Sequence, residues 1–522
     1  EMFCDDAVAA AEALDIALTK RGKHRDEDIP MCGVPVHSAE SYLLTLIRKG
    51  FRVAVCEQME DPAEAKKRGS KAVVRREVVR LVTPGTLTED SLLDARQHNY
   101  LASFAEVRGE GALAWTDIST GDLHVMACPP VRLGPELVRL SVREVLVHSE
   151  TDIARQDALA ETGASVTPLA AGSFDSTSAE KRLSGVFGVG ALDGFGAFTR
   201  AELSALGALV DYLELTQKGT LPLLRPPRRV SGARLLQIDA ATRRNLELTH
   251  SMSGGRQGSL LSVLDRTVTA GGARLLERRL AGPATDLRQI RARHDALAVF
   301  VSDSTFRDDI RQCLKQCPDI ERALSRLALD RGGPRDLAAL RDGLAQAGAL
   351  AERLAGHDLP EQLVEVHQGL LGHEALCELL DEALVAEPPL QMRDGGFIAP
   401  GHDGDLDDAR KLRDEGRGVI AGMQAEYIEE TGVSSLKIKH NNVLGYFIET
   451  TSTHAQKMLS PPLSERFIHR QTTANAVRFT TVDLSELETR ILNAGNRALE
   501  IEAALFRSLR EAVLAAHDRI GE

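Results

Sequence analysis

The chain has 522 residues, 43% of them apolar and 27% charged, so several ordinary globular domains are expected rather than one core. A formal charge of −13 argues against a surface coated throughout by nucleic acid but leaves room for local basic patches. No apolar run reaches the roughly 18 residues of a membrane span, no secretory leader is visible, and seven cysteines without a Cys-x-x-Cys spacing suit reduced thiols in the cytosol.

The chain opens at Glu1 with no methionine, which reads as a truncated start. The first domain is mixed α/β. "DDAVAAAEAL" has helical composition, with acids where a helix N-terminus favours them. "DIALT" reads as a short strand, and "SAESYLLTLIRKG" as a helix capped by Ser38 and stopped by Gly50. "FRVAVCEQ" alternates like a strand. "AVVRREVVRLVTPGT" is another strand, ended by Pro84 and Gly85. Between about Gln97 and Pro227 a second α/β pattern follows. "GALAWTDISTGDLHVMA" is expected to be two strands around a Thr120–Gly121 turn, and "EVLVHS" one more. The Pro- and Arg-rich "LPLLRPPRRVS" reads as a connector.

From about Gly232 the class changes to helices with apolar residues at three- and four-residue spacing, as in "DIERALSRLAL" and "PRDLAALRDGLAQAGALAERLAG". Arg243, Asn245 and Asp265 read as hydrogen-bonding anchors of this region. Cys313 and Cys317 fit two thiols on one helix face better than a metal pair. Two further long helical stretches, "DLDDARKLRDEGRGVIAGMQAEYIEETG" and "VDLSELETRILNAGNRALEIEAALFRSLREAVLAAHD", flank a strand-like insertion that starts at Ser434.

That insertion is locally basic. Between Ser434 and Val482, Lys437, Lys439, Lys457, Arg466, Arg470 and Arg478 face only Glu449 and Glu465, an excess of four positive charges in an acidic protein. Strand alternation puts Lys437, Lys439 and Asn441 on one face and Leu436, Ile438 and His440 on the other. Asn441–Asn442 reads as a turn or bulge before a second strand. Such cations and amides contact phosphates without reading sequence, and displaced counterions make that contact salt-dependent. The first domain carries basic segments of its own: "TKRGKHR", with Lys20 and Arg21, and "KKRGSKAVVRREVVR", with Lys71, Arg75 and Arg76. Beside them, "IPMCGVPVHS" is read as a loop that Pro30 and Pro35 stiffen, Gly33 opens to close backbone approach, and Met31 and Val34 make apolar. A stiff apolar loop among cations is a surface that enters a minor groove.

Taken together, "DDAVAAAEALDIALTKRG", "IPMCGVPVHS", "VAVCEQMEDPAEAKKRG", "REVVRLVTPGT", "LLDARQHNYLA", "IDAATRRNLEL", "DIERALSRLAL", "DGGFIAPG", "LKIKHNNVLGYFIE" and "HRQTTANAVRFTT" resemble the MutS family of DNA mismatch repair proteins, in the family's order and over almost the whole chain. The resemblance implies a multidomain α/β plus all-α fold. Residues 1–88 would be a mismatch-recognition domain, 97–228 an RNase H-like connector, 232–400 with 483–522 the helical core and lever, and 401–482 an inserted β-rich clamp. It further implies that Glu1 is the mismatch-reading carboxylate, the wedging Phe lying two residues upstream. Lys20, Arg21, Met31, Gly33, Val34, Pro35, His37, Arg75 and Arg76 would share that surface. Lys437, Lys439, Asn441, Asn442, Arg470 and Asn475 would grip the backbone.

The partners implied are mismatched duplex DNA, a second subunit in the full-length family, and a downstream MutL-like protein through the connector, all in a bacterial cytoplasm at the nucleoid. ATP and Mg belong to the family's ATPase domain. Here the only Gly-Lys pair, Gly22-Lys23, is followed by His24, so no P-loop is present, and no cofactor or catalytic residue is assigned. A paralogue acting in recombination is the nearest alternative. A nuclease built on Asp117 and Asp122 is a distant one, since two-metal hydrolysis needs a further acid; "DISTGD" reads as a hairpin, not a site.

Overall fold

The computed structural model describes every residue except 25–26, 70–71, 152–155, 157–158, 442–443, 474–475 and 522. About half of the chain is helical. It divides into one unit comprising Glu1–Gly332, Ala339–Cys377 and Ala516–Glu522, and a second comprising Gly333–Ala338 and Glu378–Ala515.

In the first unit, strand β1 (Met2–Phe3) leads into helix α1 (Cys4–Leu14), whose Ala7, Ala10 and Ala11 pack against Cys32 and Leu46. The strand expected at Asp15–Thr19 is not there. Asp15 adopts the left-handed conformation (φ 54°) and Ile16 N–H donates to the Ala11 carbonyl, so these residues close the helix instead. Strand β2 (Thr19–His24) begins only at Thr19, and β3 (Glu27–Cys32) lies between it and β1. Ile29 to Cys32 are therefore strand, not loop. Pro30 is tolerated because β1 pairs only with Met31 and Cys32, leaving no strand beside Pro30 on that flank. A short 3₁₀ turn (Val36–Ser38) precedes α2 (Ala39–Arg48), and the Ser38 side chain makes no cap hydrogen bond. Its carbonyl accepts from Ser41 Oγ at 2.8 Å instead. Gly50 does end the helix, at φ +85°. Strands β4 (Val53–Gln58) and β5 (Arg76–Val82) form a separate antiparallel pair, with helix α3 (Pro62–Lys67) between them in sequence.

A six-stranded sheet follows, built from β6 (Leu101–Val107), β7 (Glu110–Asp117), β8 (Asp122–Ala127), β9 (Glu144–His148), β10 (Ser165–Leu169) and β11 (Arg228–Arg229) in the order β10-β9-β6-β7-β8-β11. β6, β7 and β8 are antiparallel neighbours; β9 and β10 run parallel. The helix Arg200–Thr216 covers one face, where Leu206, Leu209 and Leu213 meet Leu101, Leu123 and Val125. Helix α4 (Pro130–Leu140) covers the other, with Leu133 and Leu137 against Tyr100, Trp115 and Met126. Strands β6 and β10 had no clear sequence signal: "LASFA" is buried throughout and does not alternate, and β10 contains a proline.

Helical residues of the same unit hold the segment that enters the sheet. Arg322 donates to the Asp94 and Gln97 carbonyls (3.0 and 2.8 Å), and Arg274 to that of Ala95 (2.9 Å). Arg243 anchors the Ala281 carbonyl (2.6 Å), and Asp265 accepts from Arg96 (2.7 Å) and Thr267 (2.6 Å). Asn245 is no anchor, because its side chain is exposed at the last position of its helix.

In the second unit the helices Gly404–Thr431 and Val482–Ala515 run antiparallel, Gly416 beside Ile491 and Gly495 beside Arg413. Between them in sequence comes a four-stranded sheet, β12 (Lys437–Asn441), β13 (Gly445–Thr451), β14 (Ile468–Thr472) and β15 (Ala476–Thr480), ordered β12-β13-β15-β14. Leu436, Ile448, Phe467 and Phe479 bury its inner face against Tyr427, Leu484 and Leu487 of the helices. A buried hydrogen bond between the Tyr427 and Thr481 hydroxyls (2.6 Å) fixes the joint.

Candidate nucleic-acid interface

The inserted sheet places its cations by register. Lys437 stands directly across from Glu449 on β13, and Arg478 on β15 faces Glu449 from the other side. Lys439, two pairs further along and opposite Phe447, reaches Glu449 diagonally at 2.6 Å, and Arg478 Nε reaches it at 3.1 Å. The Glu449 carboxyl is consequently held below the usual range, chiefly by the Lys439 hydrogen bond, with burial opposing and Arg478 adding to the effect. Arg478 also lies over the Phe447 ring, 4.5 Å from its centroid, and donates to Gln471 Oε1 at 2.8 Å. Two cations thus share one carboxylate, on the face that also carries Lys437. Lys437 is exposed and has no ion pair among the described residues.

Arg470 is the extra residue of a bulge in β14, between His469 and Gln471, and its side chain is exposed. A bulge re-aims one side chain and blunts an edge strand, which is where β14 lies. Asn441 acts in the turn: its Oδ1 accepts from Leu444 N–H at 2.7 Å. Asn442 and Asn475 lie outside the described residues. Of the cations seen in the sequence, Arg466 is used structurally, bridging Glu430 (2.7 Å) and Asp483 (2.9 Å). Phe447 and Glu449 were not singled out as site residues, since their contacts with Arg478 exist only once β13 and β15 pair.

In the first unit the candidate residues divide into two groups. Glu1, Arg21 and Gly33 come together. Arg21 Nη1 donates to both Glu1 oxygens (2.9 and 2.8 Å), and the Glu1 Cγ lies 3.7 Å from where a Gly33 Cβ would stand. Lys20 pairs with Asp28 at 2.5 Å. Met31 is paired with both Phe3 and Thr19. Val34 is half-buried, whereas Pro35, Val36 and His37 are exposed, Val36 at 89%. Arg76 begins β5 and Arg75 immediately precedes it; both are exposed, with Arg75 near Glu77 at 3.4 Å. Lys71 lies outside the described residues.

Asp117 and Asp122 are opposite each other, as the hairpin reading expects. Asp117 is fully buried and accepts from His98 Nδ1 (2.9 Å), Asn99 N–H (3.2 Å), and the N–H and Oγ of Ser119 (3.0 and 2.6 Å). Burial alone would raise its carboxyl; these donors outweigh burial and hold it ionised well below the usual range. This carboxylate ties a turn to a strand. Among the described residues no group of three or more His, Cys, Asp or Glu is placed to hold a metal ion.

Two mixed α/β regions and a helical region that carries an inserted four-stranded sheet make this a multidomain protein of mixed α/β and helical class. Three family models match it in succession: MutS domain I over residues 1–91, MutS domain II over 99–225 and MutS domain III over 241–522. The inserted sheet falls inside the last match. The chain belongs to the MutS family. It is 68% identical over 521 residues to the DNA mismatch repair protein MutS of Cereibacter sphaeroides, which covers all of this chain and 59% of the relative. It is 67% identical over 522 residues to that of Paracoccus denitrificans, again 59% of the relative, and 63% identical to that of Roseobacter denitrificans, 60% of the relative. The chain therefore spans less than two thirds of the length of these relatives. Among the described residues no helix is long and apolar enough to cross a membrane.

Proposed function

We propose that this chain is the duplex-gripping, mismatch-recognising portion of a bacterial DNA mismatch repair protein. The observation that carries the reading is the unbroken similarity to proteins of that name across all of the chain, through three family domains in order. In this reading residues 1–88 recognise the mispair, 97–228 form an RNase H-like connector, 232–400 with 483–522 form the core and lever, and 401–482 form the clamp. Lys437, Lys439, Arg470 and Arg478 contact phosphates, which positions the duplex without reading its sequence.

At the other end Glu1 reads the mispair. A carboxylate is repelled by phosphates unless base N–H groups reach it, and a mispaired base exposes such groups and deforms more cheaply. Arg21 lowers that repulsion by holding Glu1 as an ion pair before the duplex arrives. A Phe two residues upstream supplies the wedge at the kinked step. ATP and Mg act on a nucleotide site outside these residues, since no P-loop occurs here. A second subunit and a MutL-like protein are the remaining partners, the latter at the connector.

The test is duplex binding by fluorescence anisotropy, using a chain extended upstream to include that Phe. Mismatched duplex is expected to bind more tightly than matched duplex, and Glu1→Ala to abolish the difference. Equal binding to both duplexes by the extended chain would rule out the role given to Glu1.

A further inference from the structure

A single buried carboxylate holds the turn at which the β4–β5 pair meets the six-stranded sheet. Glu144, the first residue of β9, is 0% exposed. Its Oε2 accepts from Thr83 Oγ1 (2.5 Å) and Gly85 N–H (3.0 Å), and its Oε1 from Thr167 Oγ1 (2.6 Å) and Tyr212 Oη (2.7 Å). Thr83 and Gly85 lie just after β5, Thr167 belongs to β10, and Tyr212 to the helix Arg200–Thr216. The other strand of the pair reaches the same carboxylate through one hydroxyl: Arg52, just before β4, donates to Thr167 Oγ1 (3.0 Å). Arg52 and Thr83 flank the first rung of the pair, Val53 opposite Val82. Both strands are therefore tied at one end to one side chain.

The local geometry makes this a fixed mount. The turn is locked on itself, Thr83 N–H donating to Thr86 Oγ1 (2.9 Å) and Thr86 N–H to the Thr83 carbonyl (3.1 Å). It lies flush on the sheet, since a Cβ added at Gly85 would stand 2.8 Å from Leu101 Cδ1 and 3.0 Å from Glu144 Cβ. Apolar packing is non-directional, whereas a hydrogen bond weakens steeply off its axis. Four of them on one carboxylate set an angle that packing leaves free. That angle matters at the far end. β5 runs from exposed Arg76 to buried Val82, so the pair grows more exposed away from the mount. Arg76 stands opposite Gln58, five residues along β4 from Val53 and roughly 17 Å away. A tilt of about 10° at the mount moves that end about 3 Å, the whole length of a hydrogen bond. Val53 also packs both with Ile47 and Val82 and with Ala7, Cys32 and Met2, so the sheet that carries Glu1 tilts with the pair.

We infer that Glu144 is a positioning residue for mispair recognition, an inference that rests on reading residues 1–88 as the mispair-recognising region. Glu144 sets the angle at which that region stands on the six-stranded sheet, and so where Glu1 and the exposed Arg75 and Arg76 meet a duplex. The turn requires the acceptor oxygens rather than the charge. In Glu144→Gln the remaining oxygen serves Thr83 and Gly85, and the amide NH2 turns to the hydroxyls of Thr167 and Tyr212, which accept as well as donate. Glu144→Leu retains no acceptor.

The experiment uses the chain extended upstream to include the wedging Phe. Matched and mismatched duplexes are compared by fluorescence anisotropy, with melting followed alongside. Glu144→Gln is expected to keep the native preference for the mismatch. Glu144→Leu is expected to lower that preference about five-fold or more, the lower end of what one specific contact contributes. Matched duplex should stay within about two-fold of native affinity, because the phosphate contacts of the inserted sheet are untouched. Gly85→Ala, which displaces the turn and alters no charge, is expected to do the same and serves if Glu144→Leu fails to fold. A preference that survives in the folded variants, or an equal weakening of both duplexes, as a merely structural role would give, overturns the inference alone. No preference in the native extended chain overturns the reading of residues 1–88 and the inference with it.

Discussion

Glu449→Gln is expected to make this protein bind duplex DNA more tightly. Glu449 is the carboxylate to which Lys439 (2.6 Å) and Arg478 (3.1 Å) are tied, with Lys437 directly across the ladder. Glutamine keeps the shape and an acceptor oxygen but removes the charge, so the face gains one net positive charge. Each phosphate neutralised steepens log K against log salt by about 0.9 in B-form DNA. One extra contact therefore corresponds to about five-fold tighter binding at roughly 0.15 M salt, measured from a 1 M reference. Two partly exposed ion pairs lost from a sheet surface cost little, about 0–1 kcal/mol each, so the fold is expected to persist. Fluorescence anisotropy over a potassium chloride series reads both affinity and slope. The gain is expected to be equal for matched and mismatched duplex, because phosphate contacts carry no sequence information. Unchanged or weaker affinity with the native slope would refute the reasoning, leaving Glu449 as a residue that orients cations rather than restrains them.

The complementary double variant, Lys437→Ala with Arg470→Ala, removes two exposed cations that have no ion pair among the described residues. It is expected to lower the salt slope by about 1.8 and weaken all duplexes about 30-fold at roughly 0.15 M salt, and an unaltered slope would argue against phosphate contact at this face. Arg322→Met withdraws a buried guanidinium from the Asp94 and Gln97 carbonyls. Denaturant unfolding is expected to show a loss of about 3 kcal/mol or more, and a loss below about 1 kcal/mol would mean that the linker is held by other contacts. Burial works against ionisation of Asp265, but hydrogen bonds from Arg96 and Thr267 outweigh it and bring its carboxyl down to about 2. A lowered folded-state value stabilises above the unfolded value of about 4 and is lost as pH falls through about 2, a contribution of up to about 2 kcal/mol. The stability gap between the native protein and Asp265→Asn should therefore narrow from pH 4 to pH 2; a constant gap would remove Asp265 from the acid transition.

The long helices and the inserted hairpin were legible because their signals are local. Apolar residues three and four apart give Gly404–Thr431 and Val482–Ala515, and "LKIKHNN" alternates before a turn. Local rules failed where a neighbour in space decided the matter. The same dipeptide geometry that suggests a loop at Pro30-Met31 is accommodated in a strand once β1 leaves Pro30 uncovered. Ser38 reads as a cap until a preceding 3₁₀ turn changes its backbone.

By itself the sequence determined the class of each region, the basic excess of the insertion and, through its family motifs, the kinship with mismatch repair proteins. The tertiary structure alone decided how those charges are deployed: Arg21 on Glu1, Lys439 and Arg478 on Glu449, Arg466 on Glu430 and Asp483. Charge is a property of a residue, but its availability depends on which opposite charge lies within a few ångströms. That distance is set by strand register and helix packing between residues ten to thirty-six positions apart in these pairs, a separation over which no local pattern carries information.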